Sequence, residues 1–397
     1  MTKPGLFQGR ASALIASQMN VVAEPHPDVL IVGGGVIGLS IAYFLATERL
    51  SVTVLDQGQP GQEASWAGAG MLPPGNLDFA QDPASRLRGF SHRLWAGFSR
   101  ELREMTGIDN GYVESGGIEL AFSGESQRLQ HEAQGWRDEG VAVETLSFTQ
   151  LRHIEPAVNG DVESAYRLRQ FAQVRNPRHV KALVAACLAR GVRILPGCGV
   201  LGFKVDKQSD GRTRVLAART IERDFSADKF VVAGGAWTQS ILAGLGIPDV
   251  PISPVRGQIV LLSSLPLPFS HVLNHGSRYL VPRTDGRILI GSTEEHVGFD
   301  KSNTAAGVAG LLEFGQHVIP KLANAKLERT WSGLRPGSPI GSPYLCQLSH
   351  SSNAYVAAGH FRSGLQLSPG TGRLMAQLIT GRQLELDLAA FQLAGPA

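Results

Sequence analysis

Asp28-Val29-Leu30-Ile31-Val32-Gly33-Gly34-Gly35-Val36-Ile37-Gly38 decides how the chain begins to fold. Four apolar residues in a row, Val29 to Val32, predict a strand covered on both faces. The glycines then predict a tight turn, and Val36 to Leu45 a helix. A second apolar run, Ser51-Val52-Thr53-Val54-Leu55, predicts the next strand, and it closes on Asp56, 18 residues after Gly38. Gly33-x-Gly35-x-x-Gly38 is weak alone, but between a strand and a helix, with an acid after the second strand, it is the dinucleotide fingerprint. Gly33 makes the turn, Gly35 lets backbone approach a pyrophosphate, and Gly38 lets the helix pack on the strand. The start of that helix presents free N–H groups to phosphate. Asp56 suits the two ribose hydroxyls of an adenosine. Gln57 follows where a 2′-phosphate would need an arginine. The motif does not separate NAD from FAD, and an ordinary strand-to-helix turn would satisfy the glycines too.

The segment Glu63-Ala64-Ser65-Trp66-Ala67-Gly68-Ala69-Gly70-Met71 is small and almost uncharged. It can lie along an extended cofactor and offer backbone amides, or it can be a flexible loop. Glycine makes up 47 of 397 residues, against roughly 7% in an average protein. The chain is long enough for about two to three domain-sized units. Its formal charge is +3, with Lys and Arg dispersed, which argues against a nucleic-acid partner. Cys187, Cys198 and Cys346 form no CxxC pair, so neither a disulfide framework nor a metal site is expected. No apolar run approaches a membrane span. Residues 1–27 read as a flexible extension, with Met19 as a rival start, and a cytoplasmic location is expected.

Further along, Leu87, Phe90, Leu94, Phe98 and Leu102 recur at helical spacing over 85–105. Residues 125–139 predict a solvated helix. Asn176-Pro177 predicts an N-cap and a first-turn proline. The helix it opens would bury Val180, Leu183, Val184, Cys187 and Leu188. Phe230-Val231-Val232-Ala233 predicts a strand ending at Gly234-Gly235. Segments 257–263, 278–283 and 287–292 predict an antiparallel meander. Ala354–Ala358 predicts a strand, followed by a glycine loop and a helix over about 371–379.

Taken together, Asp28–Gly38, Asp56 and Glu63–Met71 resemble the start of the D-amino acid oxidase-like FAD-dependent oxidoreductases, and most of all their glycine oxidase branch in bacterial thiamine biosynthesis. The likeness continues through Pro254–Gln258, Tyr279–Arg283, Gly333–Pro336 and Gly359–Gly364. The resemblance implies an α/β chain, α+β overall, with a Rossmann-like FAD-binding domain and a second, antiparallel-sheet substrate domain. The first would use 28–90, 155–250 and 331–390, the second 91–154 and 251–330. FAD would be noncovalent, because no cysteine lies in 331–345. Val36, Ile37, Asp56, Gln57, Ala64, Ser65, Ala69, Gly70 and Met71 would contact it. The backbone of Val174 would meet the adenine. His360, Phe361, Arg362, Ser363, Gly364, Leu365 and Gln366 would lie at the isoalloxazine. Tyr279 and Arg335 match the pair that grips the substrate carboxylate, and Arg362 joins them as a catalytic candidate. A homo-oligomer is expected, with a small amino acid or amine and dioxygen as the molecules it meets.

A guanidinium fork binds two carboxylate oxygens in one plane, which makes Arg335 a fitting anchor; a surface arginine in a Gly-Pro turn is the plainer alternative. Tyr279 could equally be a packed strand residue. Oxidation by hydride transfer from Cα needs no protein base, so His360 is expected to be structural. The reaction implied is oxidative deamination of glycine or a small amine to a keto acid, ammonia and hydrogen peroxide. Glu294 stands where an apolar pocket residue is expected, and Ile340 where an aspartate is common. Glu294 could therefore receive a substrate amine, or face solvent. The alternatives are an oxidase of N-substituted glycines, a D-amino acid dehydrogenase with another acceptor, or a nucleotide-binding protein without redox turnover.

Overall fold

A computed structural model describes residues 26–247 and 249–393. The flexible extension expected over 1–27 lies outside the described residues, apart from His26 and Pro27. A six-stranded sheet has the order Tyr344–Gln347, Ala354–Ala358, Lys229–Val232, Val29–Val32, Val52–Leu55, Arg193–Leu195. The last five run parallel, and only Tyr344–Gln347 is antiparallel to its neighbour.

Alternation along Val29–Val32 explains why all four residues are apolar. Val29 and Ile31 face a core shared with helices Val36–Thr47, Pro83–Thr106, Asn176–Ala189 and Gly364–Thr380. Leu30 and Val32 face the opposite core, with Phe203, Val215 and Phe225 of a three-stranded sheet. Cys187 packs in the first core, as expected, and burial pushes its thiol up to about 12. Leu188, expected on the same helix face, is 54% exposed. It lies about 100° further round the helix than Cys187 and falls off the edge of the stripe.

The second sheet has eight strands, in the order Lys326–Gly337, Ser253–Ser263, Arg287–Gly291, Arg278–Pro282, Val272–His275, Gly117–Ala121, Ser164–Leu168, Val143–Leu146. It is antiparallel except where Val272–His275 runs parallel to Gly117–Ala121. One face buries Val260, Leu273, Leu280 and Ile290 under helix Ala305–Val318. Three expected boundaries move. The one between 90 and 91 falls inside helix Pro83–Thr106, which packs Leu87, Phe90, Phe98 and Leu102 in the same core as Val29 and Ile31. Ser164–Leu168 falls inside the stretch expected for the FAD-binding unit, yet it pairs with Gly117–Ala121 and Val143–Leu146. Lys326–Gly337 passes residue 331 without a break, because all of it pairs along Ser253–Ser263.

Two local expectations also change. Asn176 does not cap its helix: the N-cap position is Arg175, without a side-chain bond, and Asn176 Nδ2 donates instead to the Ser65 carbonyl at 2.9 Å. The last helix starts at Gly364 rather than near 371, and Pro369 lies inside it. Proline leaves the carbonyl four residues earlier unpaired, and the Ser368 hydroxyl donates to that Leu365 carbonyl at 2.8 Å.

Candidate functional site

The segments that leave the carboxyl ends of the five parallel strands converge on one cavity of about 530 Å³. In parallel α/β sheets this edge is where ligands bind. Its far wall is the second face of the eight-stranded sheet. Of the residues expected at a cofactor, Gly33, Gly35, Val36, Ile37, Asp56, Gln57, Ala64, Ser65, Ala69, Gly70 and Met71 all line it. So do His360, Phe361, Arg362, Ser363, Gly364, Leu365 and Gln366, and the substrate candidates Tyr279 and Arg335.

Gly33 has φ +111, and a Cβ there would overlap the Ala233 carbonyl. Gly38 does not line the cavity; a Cβ on it would overlap the Gly33 carbonyl and crowd Ile31, so the helix packs closely on the strand as read from the sequence, with the tightest contact at the turn. Both Asp56 oxygens take backbone amides, from Gly34 at 2.7 Å and Gly58 at 2.8 Å. Each oxygen keeps a further lone pair for a hydroxyl. Ser65 Oγ accepts from Val36 N at 2.9 Å and so satisfies one free amide of the helix start, where Gly35 supplies no side-chain cap.

Val174 is a correction. It is fully buried and does not line the cavity. Its N–H bonds to the Gly70 carbonyl at 2.8 Å, and its own carbonyl accepts from Arg283. The backbone beside Asp56 and Gln57 is Cys198-Gly199-Val200-Leu201, tied by Cys198 N to the Asp56 carbonyl at 2.8 Å. These residues were missed, as were Ala233 to Trp237. The signal for both was available, since each follows a short strand and the second carries Gly-Gly at the strand end.

At the other end, the Arg335 guanidinium lies over Gly257 and the Tyr279 ring over Gly291; a Cβ on either glycine would overlap it. Arg335 donates to Ser292 Oγ at 2.6 Å and to the Thr293 carbonyl at 3.2 Å. Burial draws its pKa below the ordinary arginine value. Arg362 is ion-paired to Glu294. Glu294 is exposed and does not line the cavity, so of its two readings the solvent-facing one holds, with Arg362 as its partner. His360 is buried, its Nε2 3.0 Å from Thr371 Oγ1, and burial pulls its pKa down to about 3. It is a neutral, hydrogen-bonded part of the wall. Phe361 beside it adopts φ 48, a left-handed conformation rare for such a side chain. Trp95 Nε1 and Gln366 Nε2 fix the first turn of the last helix, through the Gln366 and Pro73 carbonyls.

Two groups, buried Arg283 and half-buried Trp331, draw the walls together. Arg283 donates to the Ala69 carbonyl at 2.6 Å, the Val174 carbonyl at 3.0 Å and Gln173 Oε1 at 2.6 Å. Trp331 Nε1 donates to the Ala67 carbonyl at 2.9 Å. The 64–71 segment is thus held against the eight-stranded sheet, where sequence alone left a flexible loop open. Glu119 and Asn274 also line the cavity and were not anticipated.

A family model for FAD-dependent oxidoreductases, described as DAO, matches residues 28–378. A glycine oxidase of Pseudomonas putida is 35% identical over 367 residues, covering 91% of this chain and 97% of that one. A bifunctional ThiO/ThiG protein of a Synechocystis species is 33% identical over 371 residues, of which it is about half covered, 53% against 92% of this chain. The crystal structure of glycine oxidase from Geobacillus kaustophilus superposes with a TM-score of 0.86 at 32% identity, covering 94% of this chain and all of that one.

The cavity suits the cofactor of that family. It is long enough to be lined at one end by Asp56 and at the other by the 360–366 turn. The helices starting at Val36 and Gly364 both open onto it, which favours a pyrophosphate. Asn176 Oδ1, buried in its wall, has no partner within the protein and could accept from a bound group.

Proposed function

The chain belongs to the DAO family of FAD-dependent oxidoreductases, and on that footing we propose that it oxidises glycine or a comparably small amine. The products are the keto acid (glyoxylate from glycine), ammonia and hydrogen peroxide. The observation that carries this reading is a cavity with a half-buried guanidinium, Arg335, at the end away from Asp56. The chemistry FAD supplies when bound is acceptance of a hydride, with the electrons passed on to dioxygen.

The chain supplies position. Ser292 Oγ and the Thr293 carbonyl hold the Arg335 fork, and that fork takes the two oxygens of the substrate carboxylate. Tyr279, across the Gly291 gap, adds a hydroxyl and a wall. His360 is neutral and bonded to Thr371, so it is a poor base, in keeping with direct hydride transfer. Gly33, Gly35, Asp56, Ser65, Val200 and the 360–366 turn form the cradle that would hold FAD. In this reading the enzyme is cytoplasmic, homo-oligomeric and supplies the glycine-derived step of thiamine assembly, a setting the ThiO/ThiG relative suggests. No helix among the described residues is long and apolar enough to cross a membrane.

The test is direct. Glycine added anaerobically to the FAD-loaded protein should bleach the flavin absorbance, and admitting air should restore it with release of peroxide. A flavin that stays oxidised with glycine and every other small amino acid would overturn the proposal.

A further inference from the structure

The cavity does not end at Tyr279. Strand pairing sets Glu119 opposite Asn274, and Asn274 opposite Tyr279, on three adjacent strands. Cross-strand partners point to the same face of a sheet. The three side chains therefore form a row along the cavity wall, with Glu119 and Tyr279 two strand spacings apart, about 10 Å. Trp136, Phe171 and Ser277 line the same extension. A substrate as small as glycine, anchored at Arg335, leaves this part unfilled.

The row ends on an acid without a counter-charge. Glu119 is hydrogen-bonded to Asn274, and among the described residues it has no salt bridge. The cation that acts on its carboxyl, Arg128, is engaged by Glu132 at 2.6 Å and Glu125 at 3.6 Å. Arg128 is thus shared with two other acids, of which Glu125 also meets His275 Nε2 at 2.6 Å, and Tyr166, the next residue in the row, is neutral and accepts from Trp136 Nε1 at 3.1 Å. Glu119 is half-buried and faces the cavity; a carboxylate partly withdrawn from water is stabilised by a counter-charge, so the position suits a cationic occupant.

Building on the proposed amino acid oxidation, we infer that Glu119 is a second recognition point, receiving a distal ammonium group on a substituted amino acid whose carboxylate is held by Arg335. The substituent crosses the floor past Tyr279 and Asn274, with Trp136 and Phe171 as apolar walls. Burial pushes the Glu119 carboxyl up to about 8; an arriving cation favours its ionised form and gains a partly desolvated ion pair.

The experiment uses the FAD-loaded enzyme and its Glu119→Gln variant, with flavin absorbance reporting that both are folded and loaded. Two probe series are compared, because the substituent can hang from Cα or from nitrogen. The first is D-lysine, D-norleucine and D-2-aminoadipate; the second is N-(4-aminobutyl)glycine and N-pentylglycine. The expected result is that, in one series or both, the ammonium-ended probe reaches half-maximal anaerobic bleaching at a concentration at least about tenfold lower than the methyl-ended one. Glu119→Gln should erase that ratio. An equal or weaker response to the ammonium-ended probes in the wild type overturns the inference whatever the variant does, and so does a ratio that survives Glu119→Gln. If glycine bleaches the flavin while these probes fail, only the second recognition point falls. If glycine also fails, the oxidase reading falls first.

Discussion

The guanidinium of Arg335 occupies the space that a side chain on Gly257 would need, so the glycine is part of how the arginine is aimed. Gly257 and Arg335 lie on neighbouring strands, Ser253–Ser263 and Lys326–Gly337. Gly257→Ala is expected to push the fork off Ser292 and to raise KM for the amino acid about tenfold or more. The strand pairing and the FAD cradle should survive. Steady-state kinetics beside a flavin-content measurement checks this; a normal KM would show that the fork has room to move.

Arg335→Ala removes the proposed carboxylate anchor itself. Losing one partner of a desolvated charge pair costs roughly 3–5 kcal/mol, so kcat/KM should fall by about 10²–10³ while the flavin spectrum stays intact. Arg335→Lys should recover only part of this, because an ammonium group cannot fork over two oxygens. Normal kinetics for Arg335→Ala would remove the carboxylate assignment.

Ser65→Ala tests the start of the first helix. Ser65 Oγ accepts from Val36 N across 29 positions of sequence, acting as a cap that the helix's own Gly35 does not supply. Its loss is expected to cost about 1 kcal/mol, read as a lowered midpoint in denaturant for the FAD-free protein.

These relationships differ in how far the sequence exposes them. The turn from Val32 to Gly38 was legible because strand, glycines and helix are contiguous, and each glycine's role is set by backbone within reach. Tyr279 and Arg335 were located by resemblance, since an isolated tyrosine or arginine in an apolar strand carries no local mark. Val174 was misplaced and Val200 missed for one reason: the end of the cavity beside Asp56 is built from whatever follows each parallel strand, and that needs the strand order. Asn176 looked like an N-cap because its type and the next proline are the usual local signal, but contact with Ser65, over a hundred residues away, outweighed it. The Glu119–Asn274–Tyr279 row was invisible, because it exists only through the register of strands separated by more than 150 positions.

Glu119 also makes a pH prediction independent of any ligand. Its carboxyl is raised from 4.5 to about 8 by burial, then by Glu132, against the lowering effects of Asn274 and Arg128. A raised folded value means the unfolded chain ionises first. The contribution to stability is therefore full below pH 4.5, is lost as pH rises towards 8, and levels off above. Glu119→Gln removes this loss, of the order of a few kcal/mol. The stability difference, variant minus wild type, should grow between pH 5 and 8 in denaturant titrations. A flat difference would mean that water reaches the carboxyl.

The Arg362–Glu294 pair tests electrostatics at the same end of the cavity. Both side chains are more than a third exposed, at 39% and 38%, so their attraction should add less than about 1 kcal/mol to stability. Both nevertheless act on Arg335, Arg362 lowering its pKa and Glu294 raising it. Glu294→Gln leaves Arg362 without its counter-charge beside Arg335, the proposed carboxylate anchor. The melting temperature should stay nearly unchanged, while KM falls for amino acids with a second carboxylate relative to glycine. Salt should weaken the gain, as it does for charges open to water. Equal KM ratios before and after the substitution would show that Arg362 does not sense the substrate.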